Sequence, residues 1–302
     1  MLETIFTRSA AILAAPTGAA RRILHGRGQT YPGLEHVTLD WYPPLLLLVL
    51  YREPEPDWLA ALAVGLRELA AGSACCLLVQ YRCRPGTPTH CLWGEEPGTL
   101  DAVEAGLRFR IHPSKAQNIG FFPDMAVGRK LVRQVARERR VLNLFAYTCS
   151  FSVAALAGGA REVVNLDMHR RSLDIGRLNH QLNGLDLRQA HFLPHDLFKS
   201  FGKLRRLGPF DLVIVDPPGP QGQSFQPQRD WPKLLGRLDQ LLAPGGEVIA
   251  ALSAPGPGPG FLRAELARQA PQLELLNQLR AGDDFPESDP ERGLTLFHLR
   301  RA

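Results

Sequence analysis

From about residue 120 onward, short apolar runs alternate with amphipathic stretches, and no other feature of this 302-residue chain narrows its fold as much. Strand-length runs separated by helix-length segments do not pair as hairpins; each strand crosses over a helix and lies parallel to its neighbour. The strand candidates are VLNLFAY (141–147), EVVNLDM (162–168), AHFLPHD (190–196), FDLVIVDPP (210–218) and GEVIAALSA (246–254). Helices fit between them at 151–158, 169–183, 197–206 and 229–242, with another at 260–270 after the loop APGPGPG. Gly184 and the Gly245, Gly246 pair stand where helices should stop, because glycine takes the left-handed C-cap conformation cheaply. The chain ends with LELLNQLRA and LTLFHLRR, joined by the polar loop DDFPESDPERG without a helix, so the last strand is expected to be antiparallel.

Residues 1–119 have a different texture. A basic helical start leads into GRGQTYPGLEHVTLDWYPPLLLLVLY, then a helix near 57–71, then ACCLLVQYRC and short strand-like pieces up to FRIHPS. The expectation is two domains: a smaller α+β domain over 1–119, suited to holding a substrate, and an α/β domain over 120–302. With 45% hydrophobic residues the chain can fill both cores. Its longest apolar block, LLLLVL at 45–50, has the length of a strand and falls well short of the roughly 18 residues of a membrane span. The N-terminal SAAILAAPTGAA is short and flanked by arginine, unlike a secretory leader. Five cysteines, an odd number without CxxC spacing, read as reduced thiols and not as a disulfide framework or a metal site. A cytoplasmic protein without a metal is expected. The net charge of +5, carried largely by arginine, is compatible with an anionic partner such as RNA.

In an open parallel sheet a ligand sits at the carboxyl ends of the strands, where the strand order reverses. FAYTCSFS falls there, after the first strand. A dinucleotide site would need GxGxxG so that pyrophosphate could approach bare backbone. The turn instead offers Tyr147, Thr148, Cys149 and Ser150, a polar set fitted to a ligand without phosphate, such as S-adenosyl-L-methionine; Ser150 is also placed to cap the helix that follows. Asp167 closes the second strand about 20 residues later, where a carboxylate can accept both ribose hydroxyls of a nucleoside. Asp196, at the end of the third strand, is placed either to receive an adenine amino group or to cap the next helix. Phe145, Met168 and Leu197 complete the candidate cofactor set. The fourth strand runs into Asp216, Pro217 and Pro218, the candidate catalytic segment: the prolines hold the backbone extended, so the carboxylate can point between methyl donor and acceptor.

Five parallel strands closed by an antiparallel one are the pattern of Class I methyltransferases, and the motifs agree. GFFPDMAVGRKLV, NLFAYTCSFSVAALAGGA, VNLDMHRRSLDIGRLNHQLNGL, FDLVIVDPP and LLAPGGEV resemble a bacterial family of S-adenosylmethionine-dependent methyltransferases that modify large-subunit (23S) ribosomal RNA. That family has a cytosine-C5 and a guanine-N7 branch. Upstream, HGRGQTYPGLEHVTLDWY is similar to its pre-catalytic segment. The resemblance implies a Class I (Rossmann-like) fold, S-adenosylhomocysteine as product, and Phe122 and Asp124 as cover for the cofactor.

The departures sharpen the reading. The pre-catalytic region begins by about residue 25, so the extra N-terminal RNA-binding modules of well-known members are not expected here. The cytosine-C5 branch attacks its base with a cysteine after strand five, whereas this chain reads LSAPG, with Ala254 in that place. Gly219 follows the DPP segment where many amino-methyltransferases carry a base-stacking ring; Phe225 or Trp231 either supplies that ring or packs inside. The expected activity is therefore methyl transfer to a base nitrogen of ribosomal or other RNA. The alternatives are a protein or small-molecule methyltransferase of the same fold, and a non-catalytic RNA-binding relative.

Overall fold

A computed structural model describes residues 1–14, 17–115, 117–219, 225–253 and 256–302. The chain divides into two compact units, one formed by residues 1–124 with 282–289 and the other by 125–281 with 290–302. The first unit thus takes in part of the polar loop between the last two strands.

In the first unit, α1 (Leu2–Leu13) precedes β1 (Arg21–His25), β2 (Val37–Tyr42) and β3 (Leu45–Leu50). Helix α2 (Pro56–Leu69) then carries the chain across to β4 (Cys76–Tyr81), which pairs parallel to β3, and β5 (Thr89–Gly94) completes a sheet ordered β1-β2-β3-β4-β5. Alternate positions on the central strands, among them Leu39, Trp41, Leu46, Leu48, Leu77 and Val79, form one core with Ile5, Leu62 and Leu66 of the helices. A separate hairpin pairs β6 (Leu100–Glu104) with β7 (Leu107–Ile111).

The second unit begins with α3 (Ala126–Val135), and its described residues form seven strands: β8 (Arg140–Leu144), β9 (Glu162–Asp167), β10 (Ala190–Pro194), β11 (Phe210–Val215), β12 (Leu242–Leu252), β13 (Leu273–Arg280) and β14 (Thr295–Arg301). Their order is β10-β9-β8-β11-β12-β14-β13, and β14 runs antiparallel to both neighbours, as the missing helix before it required. Period-two burial assigns the two faces. Leu142, Leu144, Val213, Val215 and Val248 pack on α6 (Leu197–Leu207), α7 (Pro227–Leu238) and α8 (Pro259–Gln269). The intervening Val141, Val163, Leu212, Ile214 and Ile249 pack toward α3, α4 (Ser150–Ala157) and α5 (Arg170–Leu182). A sheet buried on both faces is why these strands read as nearly continuous apolar runs.

Two expectations change. The helix expected over 229–242 ends at Leu238, and β12 already begins at Leu242, because Leu241 and Leu242 are drawn into the core beside Phe210. Gly245 accordingly takes its positive φ of 69° within an irregular stretch of β12, where Leu242 and Glu247 flank a register shift, and caps no helix. Gly184, in contrast, does end α5: it sits at φ 64° while the Leu185 N–H reaches the His180 carbonyl at 3.0 Å.

Candidate functional site

Strand β8 stops at Leu144, three residues earlier than its apolar run extends, because the chain turns sharply there. Phe145, Tyr147 and Cys149 all have positive φ (57°, 47° and 61°), a conformation that costs side chains other than glycine free energy and persists only when the surroundings hold it. Those restraints are visible. The Ala146 N–H donates to the Leu166 carbonyl at 3.0 Å, the Tyr147 N–H to Asp167 Oδ2 at 2.8 Å, and Asn179 Nδ2 to the Thr148 carbonyl at 2.9 Å. Cys149 is fully buried against α5 at Gly176, where an added Cβ would lie 2.4 Å from its sulfur. Burial, reinforced by the Asp167 charge, drives the Cys149 thiol well above its ordinary pKa. Cys149, not Ser150, holds the N-cap position of α4; Ser150 is the first helical residue, and its hydroxyl accepts from Arg129 Nη1 at 3.5 Å.

Asp167 is anchored at both oxygens: Oδ2 takes the Tyr147 N–H, and Oδ1 takes the His169 N–H at 2.8 Å. A carboxylate has about four acceptor positions, so an aspartate held in this way can still accept two hydroxyls. Asp196 caps α6, with Oδ1 accepting from the Lys199 N–H at 2.9 Å. A cleft of about 270 Å³ at the carboxyl ends of β8, β9 and β10 brings together Phe145, Leu166, Asp167, Met168, His195, Asp196, Leu197 and Phe198. Met168 is 51% exposed, an apolar side chain available to a planar ligand. Thr148 is instead buried, its carbonyl held by Asn179, and Tyr147 joins the site through its backbone.

A second cleft, of about 250 Å³, has Pro217, Pro218 and Gly219 on one side and Leu252, Ser253 and Pro257 on the other. Asp216 directly follows β11 and is half-buried. Phe225 and Trp231 are fully buried and meet edge-to-face at 5.8 Å, with Phe145 edge-to-face on Phe225 at 5.2 Å. They pack, and the stacking role considered for them is set aside. The same three rings link the clefts, since Phe145 borders the first and the other two border the second. Ala254 lies outside the described residues. Phe122 and Asp124 belong to the first unit, where Phe122 is 42% exposed and Asp124 Oδ1 is buried with no hydrogen-bond partner among the described residues.

Sequence reasoning missed the support beneath the turn. Asn143 donates to Asn165 (2.9 Å), Asn165 to Ser152 (3.0 Å), and the Ser152 hydroxyl meets His180 Nε2 (2.9 Å), whose Nδ1 lies 2.7 Å from the Gly176 carbonyl. Because Nδ1 faces a carbonyl it carries the proton, and Nε2 accepts from Ser152. Burial also lowers the His180 pKa, which keeps the ring neutral. The available signal was the helical spacing of Leu173, Gly176, Asn179 and His180, which places all four on the buried side of α5.

Comparison with known proteins bears on the family and the fold. The family model for S-adenosylmethionine-dependent methyltransferases matches residues 21–300. "Ribosomal RNA large subunit methyltransferase I" of Aeromonas salmonicida is 34% identical over 224 residues, 69% of this chain and 56% of that protein. The protein of the same name from Erwinia tasmaniensis is 30% identical over 280 residues, 88% of this chain and 69% of its own length. The chain thus spans little more than half the length of the Aeromonas relative. Among solved structures, SMU.776 complexed with SAH superposes with a TM-score of 0.87 at 22% identity, covering 99% of this chain and 80% of that one. The tRNA m1G37 methyltransferase of M. jannaschii reaches a TM-score of 0.64 at 15% identity, covering 87% of this chain and 71% of that one. The chain belongs to the S-adenosylmethionine-dependent methyltransferase family.

Proposed function

We propose that this member of the S-adenosylmethionine-dependent methyltransferase family transfers a methyl group to a base nitrogen of RNA, with large-subunit (23S) ribosomal RNA as the substrate and the cytoplasm as its place of work. The RNA reading rests on likeness to the ribosomal RNA methyltransferases of Aeromonas and Erwinia. Among the described residues no helix is long and apolar enough to cross a membrane.

When bound, S-adenosylmethionine supplies a sulfonium methyl already activated for in-line displacement. What remains for the protein is alignment of the acceptor, removal of its proton and exclusion of water. Asp167 receives the ribose hydroxyls on the acceptor positions its backbone partners leave open, and Met168 and Leu197 line the adenine side of the 270 Å³ cleft. Asp196 is committed to its helix cap through Oδ1 and offers Oδ2 to the adenine amino group. Tyr147, Thr148 and Ser150 shape the methionine end. Asp216 orients the acceptor and takes its proton, with Pro217 and Pro218 keeping the segment extended beside the second cleft.

The observation that carries the choice of nitrogen is Cys149. It is the last cysteine in the chain, fully buried against Gly176, with its thiol pKa raised by burial. Methylation of cytosine C5 needs a thiolate to add to the ring, and a buried protonated sulfur cannot supply one. A nitrogen acceptor already has its lone pair. The test is tritiated methyl transfer to total RNA followed by nucleoside analysis. An N-methylated base is expected; 5-methylcytosine would overturn the assignment.

A further inference from the structure

The first unit contains a cluster of arginines in which only some members have a carboxylate. Strands β3 and β4 are parallel, so their carboxyl ends lie side by side: Tyr51 follows one and Arg82 the other, and the Arg82 N–H donates to the Leu50 carbonyl at 2.8 Å. Arg27, on the short 3-10 turn Gly26–Gly28, lays its guanidinium over the Tyr51 ring at 4.2 Å. On one flank Arg22 is paired with Asp40 at 2.6 Å; on the other Arg84 is paired with Glu53 at 2.7 Å while it lies over Tyr81 at 3.7 Å. The two arginines between them are different. Arg82 spends its donors on neutral acceptors, Gln80 Oε1 (2.9 Å), the Gln117 carbonyl (2.5 Å) and Asn118 Oδ1 (3.4 Å). Neither Arg27 nor Arg82 has a carboxylate partner among the described residues.

We propose that Arg27 and Arg82 form a binding site for a phosphodiester of an RNA strand, with a base stacked on the outer face of the Arg27 guanidinium. Asp40 is already taken by Arg22, so holding half-buried Arg82 beside Arg27 and Arg22 without a carboxylate of its own is unfavourable, and an anion relieves it. Burial, with the charges of Arg27 and Arg22, lowers the Arg82 pKa against the opposing pull of Tyr51 and Asp40. Arg82 is immobilised before any ligand arrives by bonds through Nε and Nη2, so Nη1, which has no acceptor among the described residues, loses little freedom on donating to a phosphate. Arg27 is exposed, and one face of its planar group already lies on an aromatic ring, which leaves the other face open. A cation beside an exposed planar stacking surface suits a single nucleic-acid strand better than a free phosphate.

The proposal rests on the RNA reading given above, and the experiment separates the two. Binding of a short fluorescent oligoribonucleotide to the full chain is measured across a salt series for wild type, R27Q, R82Q, R82K and R188Q. The last removes an equal charge from an arginine of the second unit that is 91% exposed. R27Q and R82Q are each expected to weaken binding roughly tenfold at low salt and to flatten the slope of log Kd against log salt by about 0.7, the value for one phosphate contact on a single strand. R82K should keep the slope and lose part of the affinity, and R188Q should match wild type. Inorganic phosphate, added against ionic-strength-matched chloride, should compete weakly with wild type and not with R82Q. S-adenosylhomocysteine affinity should be unchanged throughout. Unaltered RNA binding in R27Q and R82Q would overturn the site. If phosphate competition disappears in R82Q while RNA affinity stays whole, the site takes free phosphate and the RNA assignment falls. R27Q alters an exposed side chain and keeps the test decisive if R82Q fails to fold. A wild-type protein that binds the strand but methylates no RNA would refute the function and leave the site standing. One that methylates RNA, with R27Q and R82Q indistinguishable from it, would refute the site alone.

Discussion

Replacing Asp167 with alanine should damage the first cleft in two ways that can be measured separately. The carboxylate holds two backbone donors, the Tyr147 and His169 N–H groups, both at 2.8 Å. Tyr147 sits in a strained turn at φ 47°, so one of these bonds offsets conformational cost directly. Asp167 is partly exposed, and water can replace some of what is lost, so the two structural bonds contribute about 1 kcal/mol each. The same substitution removes the acceptor proposed for both ribose hydroxyls. Two hydrogen bonds to a charged group amount to about 2 to 4 kcal/mol, or roughly thirtyfold to nearly a thousandfold in Kd. Calorimetric titration with S-adenosylhomocysteine reads the second effect, and hydrogen exchange at the Tyr147 and His169 amides in the free protein reads the first. D167N separates them further. Its amide oxygen can accept one of the two N–H groups while its NH2 opposes the other, so turn protection should fall even as part of the ribose binding survives. Wild-type affinity in D167A, with the fold verified by circular dichroism, would remove Asp167 from the site. Unchanged exchange at Tyr147 would refute the account of how the turn is held.

C149S is expected to keep measurable methyl transfer, with a modest loss of stability from burying a hydroxyl against Gly176, while D216A nearly abolishes transfer without unfolding the sheet; inactive C149S with intact cofactor binding would restore covalent catalysis. N179A removes the hydrogen bond on the Thr148 carbonyl, at a cost of about 1 to 3 kcal/mol, and should weaken S-adenosylhomocysteine binding although the side chain is buried behind the turn; an unchanged Kd would show that the turn holds its shape without it. Glu247 is 3% exposed and ringed by Arg139, His298 and Arg300, whose hydrogen bonds overcome its desolvation and bring its pKa from 4.5 down to about 2. A depressed carboxylate stabilises the fold above its unfolded pKa and loses that contribution as pH falls, so about 3 kcal/mol should fade between pH 4.5 and 2. Acid titration of thermal stability should be steeper in wild type than in E247Q; parallel curves would contradict this.

Much of the second unit was legible because local pattern and global role coincide. A strand buried on both faces has to be apolar throughout, a crossover has to be helical, and two strands joined without a helix have to run antiparallel, so VLNL, VVNL, LVIV and the final hairpin define the sheet before any contact is known. Where two local rules compete, sequence alone loses. VLNLFAY has the composition of a seven-residue strand, yet Leu166 and Asp167 on the neighbouring strand capture the backbone of Ala146 and Tyr147 and bend it away after Leu144. Ser150 is a good capping residue, but the bend moves it one place into the helix. Phe225 and Trp231 were ambiguous because a ring in a loop can face either a ligand or the core, and only packing against Phe145 and α7 decides. The polar chain from Asn143 to His180 spans residues that a one-dimensional pattern does not connect. Likewise the sequence shows many arginines, but only the tertiary structure separates Arg22 and Arg84, neutralised by Asp40 and Glu53, from Arg27 and Arg82. Composition and periodicity determine which surfaces must be buried, because hydrophobic free energy depends on area and not on partner. Hydrogen bonds and charges act at fixed distances and directions, and those exist only once distant segments have been brought together.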